Sequence, residues 1–275
     1  MIVTDAEIQK RLPAERAADA NKYSFGKLQL IAGTQTYPGA ARLSALGAFK
    51  AGCGYVCLET EVPIEILRDL PEVVPGFHPE CSAFVVGPGL DAKYPFEKIQ
   101  QFLREIPSDK PLLIDGGALR HIAQLNLLGR CSVVATPHEG ELAQILGSEW
   151  PASRIRNDRE AAAQAFTKRY PGIVLLLKGA PSLILGPDAM WTMNRGNASM
   201  SSAGQGDLLS GVIGAYLALG LPAVDATILG SFLCALAAED LSSEGEAQGI
   251  LAHEIAQYLP ILLKQLRSAP ATSTV

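Results

Sequence analysis

Residues 83–89 read AFVVGPG, four apolar residues that run directly into a loop of glycine and proline. The same pattern recurs in LLIDGG at residues 112–117 and in SVVATPH at residues 132–138. Short apolar segments that alternate with helical patterns predict a parallel sheet covered on both faces by helices. We therefore expect an α/β fold whose loops gather at the carboxyl edge of the sheet, where ligands bind.

The flanking segments continue this alternation in both directions. Apolar runs predict further strands at residues 28–33, 55–59, 173–177, 182–186 and 190–193, the last two as a hairpin. Helical spacing predicts helices at residues 39–51, 64–70, 158–170 and 250–266. No shift of composition marks a boundary, so we expect one domain over residues 1–275, with a frayed tail at 268–275.

Composition and charge exclude several classes of protein. The chain has 275 residues, of which 48% are hydrophobic, so we expect a globular protein with a sizeable core. A formal net charge of -5 argues against a nucleic-acid partner, because affinity for phosphate backbones rests on excess lysine and arginine. The first residues have neither the basic start nor the apolar run of a signal peptide, which predicts a cytoplasmic location.

The most apolar region, residues 208–238, is long enough to suggest a membrane helix. Gly220, Pro222 and Asp225 divide it, so two buried helices fit the pattern better and no membrane partner is expected. Five cysteines without a CxxC pair predict reduced thiols in the core. The histidines lie outside ligand spacing of any cysteine, which disfavours a zinc site.

The stretch AGQGDLLSG, residues 203–211, predicts a loop that enters a helix. Gly204 and Gly206 let backbone N–H groups turn toward one point, and first-turn N–H groups have no partners within the helix, so this end can bind an anion. Asp207 in the first turn can act as a base on a hydroxyl that attacks a bound phosphate. The alternative is that the helix dipole favours an aspartate there and that the glycines only make a connection.

Two further candidates follow predicted strands. Lys178 can reach a nucleotide phosphate, and a solvated strand end is the alternative interpretation. His138 can contact a ligand, whereas Glu139 and Glu141 are interpreted as first-turn acids of the next helix.

Glycine-containing segments at residues 39–41 and 87–89 permit close approach of a ligand to the backbone, although turn and helix-start roles also explain them. The chain has no GxxxxGK[ST] loop, no GxGxxG after the first strand and no GxSxG elbow. These absences disfavour P-loop enzymes, ordinary Rossmann dehydrogenases and α/β-hydrolases.

Taken together, the segments resemble the ribokinase-like superfamily and, within it, the NAD(P)H-hydrate dehydratases. The resemblance runs from Lys22 to about Leu266 and rests on the order and spacing of residues 33–54, 86–90, 136–141, 177–180, 196–200 and 203–211. It implies a three-layer ribokinase-like fold with a mostly parallel central sheet flanked by helices.

The resemblance also implies a reaction, the ADP-dependent or ATP-dependent removal of water from nicotinamide cofactors hydrated at ring carbon 6. The substrates would be (6S)-NADHX and (6S)-NADPHX, with NADH or NADPH, AMP and phosphate as products. Asp207 would deprotonate the hydroxyl, and the N–H groups around Gly204 and Gly206 would hold the developing charge. The residues implied to line the hydrated cofactor are Ala40, Gly89, His138 and Asp207. Those implied to line the adenine nucleotide are Lys178, Gly179, Ala180, Pro181, Ser182 and Gly206.

The chain departs from the usual bacterial pattern in two places. Many relatives have Asp-Ala-Asp where this chain has residues 115–117, Asp-Gly-Gly, so one acidic group is missing at Gly117. Gln205 resembles the eukaryotic, ATP-using branch, whereas the PHEGE motif at residues 137–141 resembles the bacterial, ADP-using branch. We expect ADP to be the donor.

Partners follow from the same resemblance. Mg²⁺ is expected because phosphoryl transfer needs charge neutralisation, and no ligands are assigned to it. Bacterial fusions carry an epimerase domain ahead of this one, and the short N-terminal segment predicts that the epimerase is a separate protein. The apolar helices and a family tendency to tetramers predict a homo-oligomer.

Two rival functions are open at this stage. A ribokinase-like kinase of a vitamin precursor would use the same Asp207 and anion site but would release a phosphorylated product. The missing acid at Gly117 suggests a nucleotide-binding module that has lost turnover, although Asp207, Gly204, Gly206 and Lys178 all remain. Recovery of reduced-nicotinamide absorbance from a hydrated cofactor separates both rivals from a dehydratase.

Overall fold

The computed structural model describes residues 1–15, 17, 19–127, 129–243 and 249–268, and this part is built around a nine-stranded sheet. The strands are β1 Lys27–Ile31, β2 Tyr55–Glu59, β3 Val74–Pro75, β4 Ala83–Val86, β5 Leu112–Ile114, β6 Val133–Ala135, β7 Ile173–Leu177, β8 Ser182–Leu185 and β9 Met190–Met193. Their order in the sheet is β3-β2-β1-β4-β5-β6-β7-β8-β9. The first seven strands in this order, β1 to β7, are parallel to one another. Strand β8 runs antiparallel to β7 and β9, which confirms the predicted hairpin.

Helices precede, connect and follow the strands. They are α1 Asp5–Gln9, α2 Pro38–Lys50, α3 Pro63–Asp69, α4 Phe96–Glu105, α5 Gly116–Leu119, α6 Glu139–Leu146, α7 Ala152–Asn157, α8 Arg159–Arg169, α9 Gln205–Ala218, α10 Ala223–Ser243 and α11 Ala252–Ser268. The helix predicted at residues 158–170 starts one residue later, because the Asp158 side chain accepts the Ala161 N–H and caps α8. Ser268, predicted to fray, is the last residue of α11, and the rest of the predicted tail lies outside the described residues.

Two hydrophobic cores lie on opposite faces of the sheet. Leu113 packs into the core that α2, α9, α10 and α11 cover, whereas its neighbours Leu112 and Ile114 pack into the core beneath α4, α6 and α8. This alternation is the period of two that a strand requires when both faces are buried. The predicted three-layer α/β architecture is therefore confirmed.

The apolar region 208–238 forms most of α9 and most of α10, as predicted. The break falls at residues 219–222, which include Gly220 and Pro222, whereas Asp225 lies in the first turn of α10. Within the described ranges no helix is long and apolar enough to span a bilayer. The five cysteines are free thiols. Four of them are buried as expected, but Cys131 is exposed because it lies in the loop between α5 and β6.

Helices α2 and α9 meet along their glycines. An ideal Cβ on Gly47 would lie 2.6 Å from the Leu208 carbonyl oxygen, and one on Gly211 would overlap the Ser44 carbonyl oxygen. The Ser44 hydroxyl donates a 3.0 Å hydrogen bond to the backbone oxygen of Asp207. Close approach of the two backbones therefore sets where α9 begins.

We predict that Gly211→Ala destabilises the protein, because the added methyl group has to push α9 away from α2. Overpacking of this kind costs about 1–3 kcal/mol of unfolding free energy. Gly39→Ala is the matched control, since an ideal Cβ on Gly39 meets no atom within 4 Å and alanine favours a helix. Urea unfolding would contradict the packing argument if the two variants were equally stable.

Candidate active site

A cavity of about 630 Å³ opens at the carboxyl ends of β4, β5 and β6 and is bounded by the first turns of α2 and α9. Its lining includes all four residues expected to contact the hydrated cofactor, together with one of the glycines expected at the anion site. These residues are Ala40, Gly89, His138, Asp207 and Gly204. Parallel strands bring them together because their carboxyl ends meet at one edge of the sheet.

The N-terminus of α9 has the local structure that the sequence predicts. Gly204 precedes the helix with φ of 93°, a left-handed conformation that a residue with a side chain rarely adopts, and no side chain caps this end. The first intrahelical bond of this turn runs from the Leu208 N–H to the Gly204 carbonyl, which leaves the earlier N–H groups without helical partners. Asp207 lies in this first turn and on the cavity wall.

Asp115 is the most buried acid of the site, with 2% of its surface exposed. It accepts hydrogen bonds from Thr136 Oγ1 at 2.7 Å, Lys178 Nζ at 2.8 Å and Ser210 Oγ at 2.9 Å. Burial would raise the pKa of Asp115, but the Lys178 ammonium and these hydroxyl donors hold it below its usual range. The carboxylate is therefore charged and fully committed to protein partners.

Lys178 reaches inward from the end of β7. Its ammonium lies between Asp115 and Glu141, 3.7 Å from Glu141 Oε2, and an ideal Cβ on Gly206 would lie 3.4 Å from it. Burial would lower the pKa of Lys178, but the two carboxylates raise it above its ordinary value. The alternative interpretation of Lys178 as a solvated strand end is therefore wrong.

Asp207 faces the cavity, and the pKa of its carboxyl group lies well above the ordinary value. Burial raises its pKa to about 7, and the nearby charges of Asp115 and Glu141 add to the shift while Lys178 opposes it. A carboxyl group with this pKa exchanges its proton near neutral pH, as a general base must.

His138 caps α6 and also faces the cavity. Its Nδ1 accepts the N–H groups of Gly140 and Glu141, so its ring proton is on Nε2. The Glu141 carboxylate in turn accepts a hydrogen bond of 2.8 Å from the backbone N–H of His138, which completes a capping box. Glu141 thus has the predicted structural role but also lines the cavity, whereas Glu139 pairs with Arg156 and Arg159.

None of the six residues expected at the nucleotide is among those that line the cavity. Gly179, Ala180 and Pro181 are exposed in the turn between β7 and β8, and Ser182 begins β8 with its hydroxyl bonded to the Gly179 carbonyl at 2.8 Å. Gly206 precedes Asp207 in the first turn of α9, and an ideal Cβ on Gly206 would lie 3.4 Å from the Lys178 ammonium. The Lys178 ammonium therefore connects the residues expected at the nucleotide with the turn that carries Asp207.

The sequence did not predict that Asp115 accepts hydrogen bonds from Lys178, Thr136 and Ser210. It also did not predict that Arg120 lines the cavity. An aspartate directly after a buried strand was the available signal for Asp115. The hydroxyl partners gave none, because serine and threonine are common and their contacts are long-range.

A family model described as NAD(P)H-hydrate dehydratase matches residues 28–261 of this chain. The chain belongs to the NAD(P)H-hydrate dehydratase family.

Individual relatives agree with this assignment. The ADP-dependent (S)-NAD(P)H-hydrate dehydratase of Neisseria meningitidis serogroup B is 33% identical over 258 residues, covering 88% of this chain and 86% of the relative. A bifunctional NAD(P)H-hydrate repair enzyme of Escherichia coli is also 33% identical over 258 residues, covering 87% of this chain but 48% of that enzyme. The crystal structure of the ADP/ATP-dependent NAD(P)H-hydrate dehydratase from Bacillus subtilis, co-crystallised with ATP and Mg²⁺, matches with a TM-score of 0.86 and 29% identity, covering 96% of this chain and 98% of that one. This match confirms the ribokinase-like fold.

Gly117 is the position at which the sequence resemblance indicates a missing acid. An ideal Cβ there would overlap the Leu90 carbonyl oxygen, so the loop at residues 87–90 lies directly on the first turn of α5. An aspartate at this position would require that loop to move. In the described part of the chain, no group of three or more histidine, cysteine or acidic side chains is arranged to hold a metal ion by itself.

We predict that Lys178→Met lowers the unfolding free energy by about 3–5 kcal/mol, because it leaves the Asp115 carboxylate buried without its cation. The double variant Lys178→Met/Asp115→Asn should recover much of that loss, since the amide oxygen still accepts from the hydroxyl groups. Urea unfolding of the two single variants and the double variant measures the coupling. If the stability losses of the two single variants simply add in the double variant, Lys178 and Asp115 do not interact directly.

We further predict that Asp207→Asn stabilises the protein increasingly as the pH rises. The folded state keeps the Asp207 proton up to about pH 7, whereas the ordinary pKa is 3.8, so the wild-type protein loses stability as the pH rises through this window. Asparagine cannot ionise and lacks this loss. Thermal unfolding between about pH 4 and pH 8 measures it. A difference between the proteins that stays constant with pH would exclude the raised pKa.

Proposed function

We propose that this chain is an ADP-dependent dehydratase that converts (6S)-NADHX and (6S)-NADPHX to NADH and NADPH, with AMP and phosphate as the other products. One observation supports it above the rest: Asp207, a carboxyl group with a pKa near 7, faces a 630 Å³ cavity at an uncapped helix N-terminus in a member of the dehydratase family. The names of the relatives from N. meningitidis and B. subtilis support the same substrate and nucleotide.

In the first step, Asp207 takes the proton of the hydroxyl group on ring carbon 6. The hydroxyl oxygen then forms a bond to the terminal phosphorus of ADP, and the bond from that phosphorus to AMP breaks. The free N–H groups of the first turn of α9 stabilise the charge on the transferred phosphoryl group. The Lys178 ammonium lies beside Gly206, where it offsets charge on the nucleotide.

In the second step, the bond between ring carbon 6 and the phosphate oxygen breaks. Electrons from the ring nitrogen assist the departure, phosphate leaves, and loss of a proton from the adjacent ring carbon restores the double bond. Phosphate is a far better leaving group than hydroxide, which is why the reaction consumes a nucleotide. The protein has to exclude water from the ring once the phosphate has left, and Gly89 packs directly against the Ala40 methyl group on the cavity wall.

Mg²⁺ is part of this proposal. When it binds chiefly through phosphate oxygens it needs only one or two protein carboxylates, so the absence of a three-residue cluster in the described part of the chain is compatible with it. Glu141 lines the cavity and fits that requirement, whereas Asp115 is committed to Lys178 and Asp207 is the proposed base. The ion would neutralise charge on the phosphates.

The remaining expectations from the sequence stay predictions. They are a single domain, a homo-oligomer such as a homotetramer, a cytoplasmic location and a separate epimerase that supplies the accepted epimer. ADP rather than ATP as the preferred donor also belongs to the proposal. The B. subtilis relative is named for both nucleotides.

The test is absorbance at the reduced-nicotinamide band after the purified protein is mixed with hydrated NADH, Mg²⁺ and either ADP or ATP. We expect a rise that requires nucleotide and is faster with ADP. Asp207→Asn should lower the turnover number by about a hundredfold or more and leave nucleotide affinity nearly unchanged, because Asp207 acts in the chemical step. The turnover number of the wild-type enzyme should rise with pH through about 7, as Asp207 ionises.

The control is Glu139→Gln, which removes a nearby carboxylate that pairs with Arg156 and Arg159. It should retain most of the activity. No absorbance rise with either nucleotide, in protein shown to be folded, would contradict the proposal. A phosphorylated product that accumulates without recovery of NADH would favour the small-molecule kinase.

A further inference from the structure

Arg120 is a cation on the cavity wall that the proposed chemistry does not use. It caps the short helix α5 at its C-terminus, its side chain is exposed, and it lines the same cavity as His138 and Asp207. Among the described residues its guanidinium has no carboxylate within ion-pair distance. The one hydrogen bond found for it there runs from Nη2 to the Leu90 carbonyl over 3.5 Å.

The surroundings of Arg120 explain why it is unpaired. Helix α5 has the sequence GGAL, so it offers no acid to Arg120. Two of the nearby carboxylates have other partners. Asp115 is bound to Lys178, and Glu141 accepts the His138 N–H and lies near Lys178.

Arg120 is the only lysine or arginine among the described residues that line this cavity. Asp207 and Glu141 are acids on its wall, and the whole chain has a net charge of -5. A dinucleotide with a pyrophosphate, and in one form a further phosphate on the ribose, needs a compensating cation when it enters such a cavity. The planar fork of a guanidinium group suits phosphate oxygens better than any other side chain.

We propose that Arg120 binds a phosphate group of the hydrated dinucleotide and so determines substrate affinity without taking part in the chemical step. This inference rests on the proposed function. Two phosphates share the required chemistry, the pyrophosphate common to both cofactors and the ribose phosphate found only in the NADPH form. Measurements with the two cofactors distinguish them.

The test uses equilibrium binding of NADH and NADPH, which are the stable reaction products and carry the same phosphates as the substrates. Isothermal titration calorimetry compares the wild-type protein with Arg120→Gln, which keeps a donor for the Leu90 carbonyl but removes the charge. We expect affinity to fall by about tenfold or more, as for a lost hydrogen bond to a charged group. An equal loss for both cofactors identifies the pyrophosphate, and a loss confined to NADPH identifies the ribose phosphate.

Two further variants separate binding from a structural role. Arg120→Lys restores the charge without the fork and should regain part of the affinity. Arg104→Gln removes the same charge from an exposed residue of α4 outside this cavity and should change nothing. In turnover assays with hydrated cofactor, Arg120→Gln should raise KM and leave kcat within about twofold of the wild-type value.

Unchanged affinity in Arg120→Gln, an equal loss in Arg104→Gln, or a wild-type protein that binds neither dinucleotide would overturn the inference. A wild-type protein that binds both dinucleotides through Arg120 but recovers no NADH from the hydrated cofactor would support the role of Arg120. That result would contradict only the proposed function.

Discussion

The buried ion pair of Asp115 and Lys178 is the interaction on which the arrangement of the site depends. Asp115 follows β5, Lys178 follows β7, Thr136 follows β6 and Ser210 lies on α9, and all of them meet at one carboxylate. A carboxylate that is 2% exposed is stable only when charge and hydrogen bonds compensate its lost hydration. Three loops and one helix are therefore held at a common point, and the cavity opens beside it.

The same ion pair also sets the electrostatics of Asp207. Lys178 and the positive end of α9 favour the charged form of Asp207, whereas burial and the charges of Asp115 and Glu141 disfavour it. Burial and the two acids prevail, and the pKa rises to about 7. A free Lys178 would give a more acidic and weaker base. The commitment of Lys178 to Asp115 thus leaves Asp207 able to accept a proton near neutral pH.

The cavity divides its charges between two regions. Acids and the uncapped N-terminus of α9 occupy the region around Asp207, where a hydroxyl group and a phosphoryl group would react. Arg120 lies on the wall formed by α5, beside the loop that carries Gly89. A long substrate with an uncharged ring at one end and phosphates farther along matches this division. The tight contact of Leu90 with Gly117 holds the α5 wall in place.

Much of the fold was predictable, because six of the seven parallel strands are short, mostly apolar runs that end in glycine, aspartate or a polar loop. The two-residue strand β3 is too short to give such a pattern and was not predicted. The α9 segment was predictable in the same way, since Gly204 and Asp207 act through local backbone geometry that neighbouring residues define. Tertiary structure alone decided that Lys178 pairs with Asp115, 63 residues away, and that Thr136 and Ser210 complete the network. It also decided that Arg120 faces the cavity unpaired. The reason is physical: periodicity and turn chemistry act over a few residues and are visible in the sequence, whereas the partners of a buried charge are chosen by whichever distant segments the packed sheet brings within hydrogen-bonding distance.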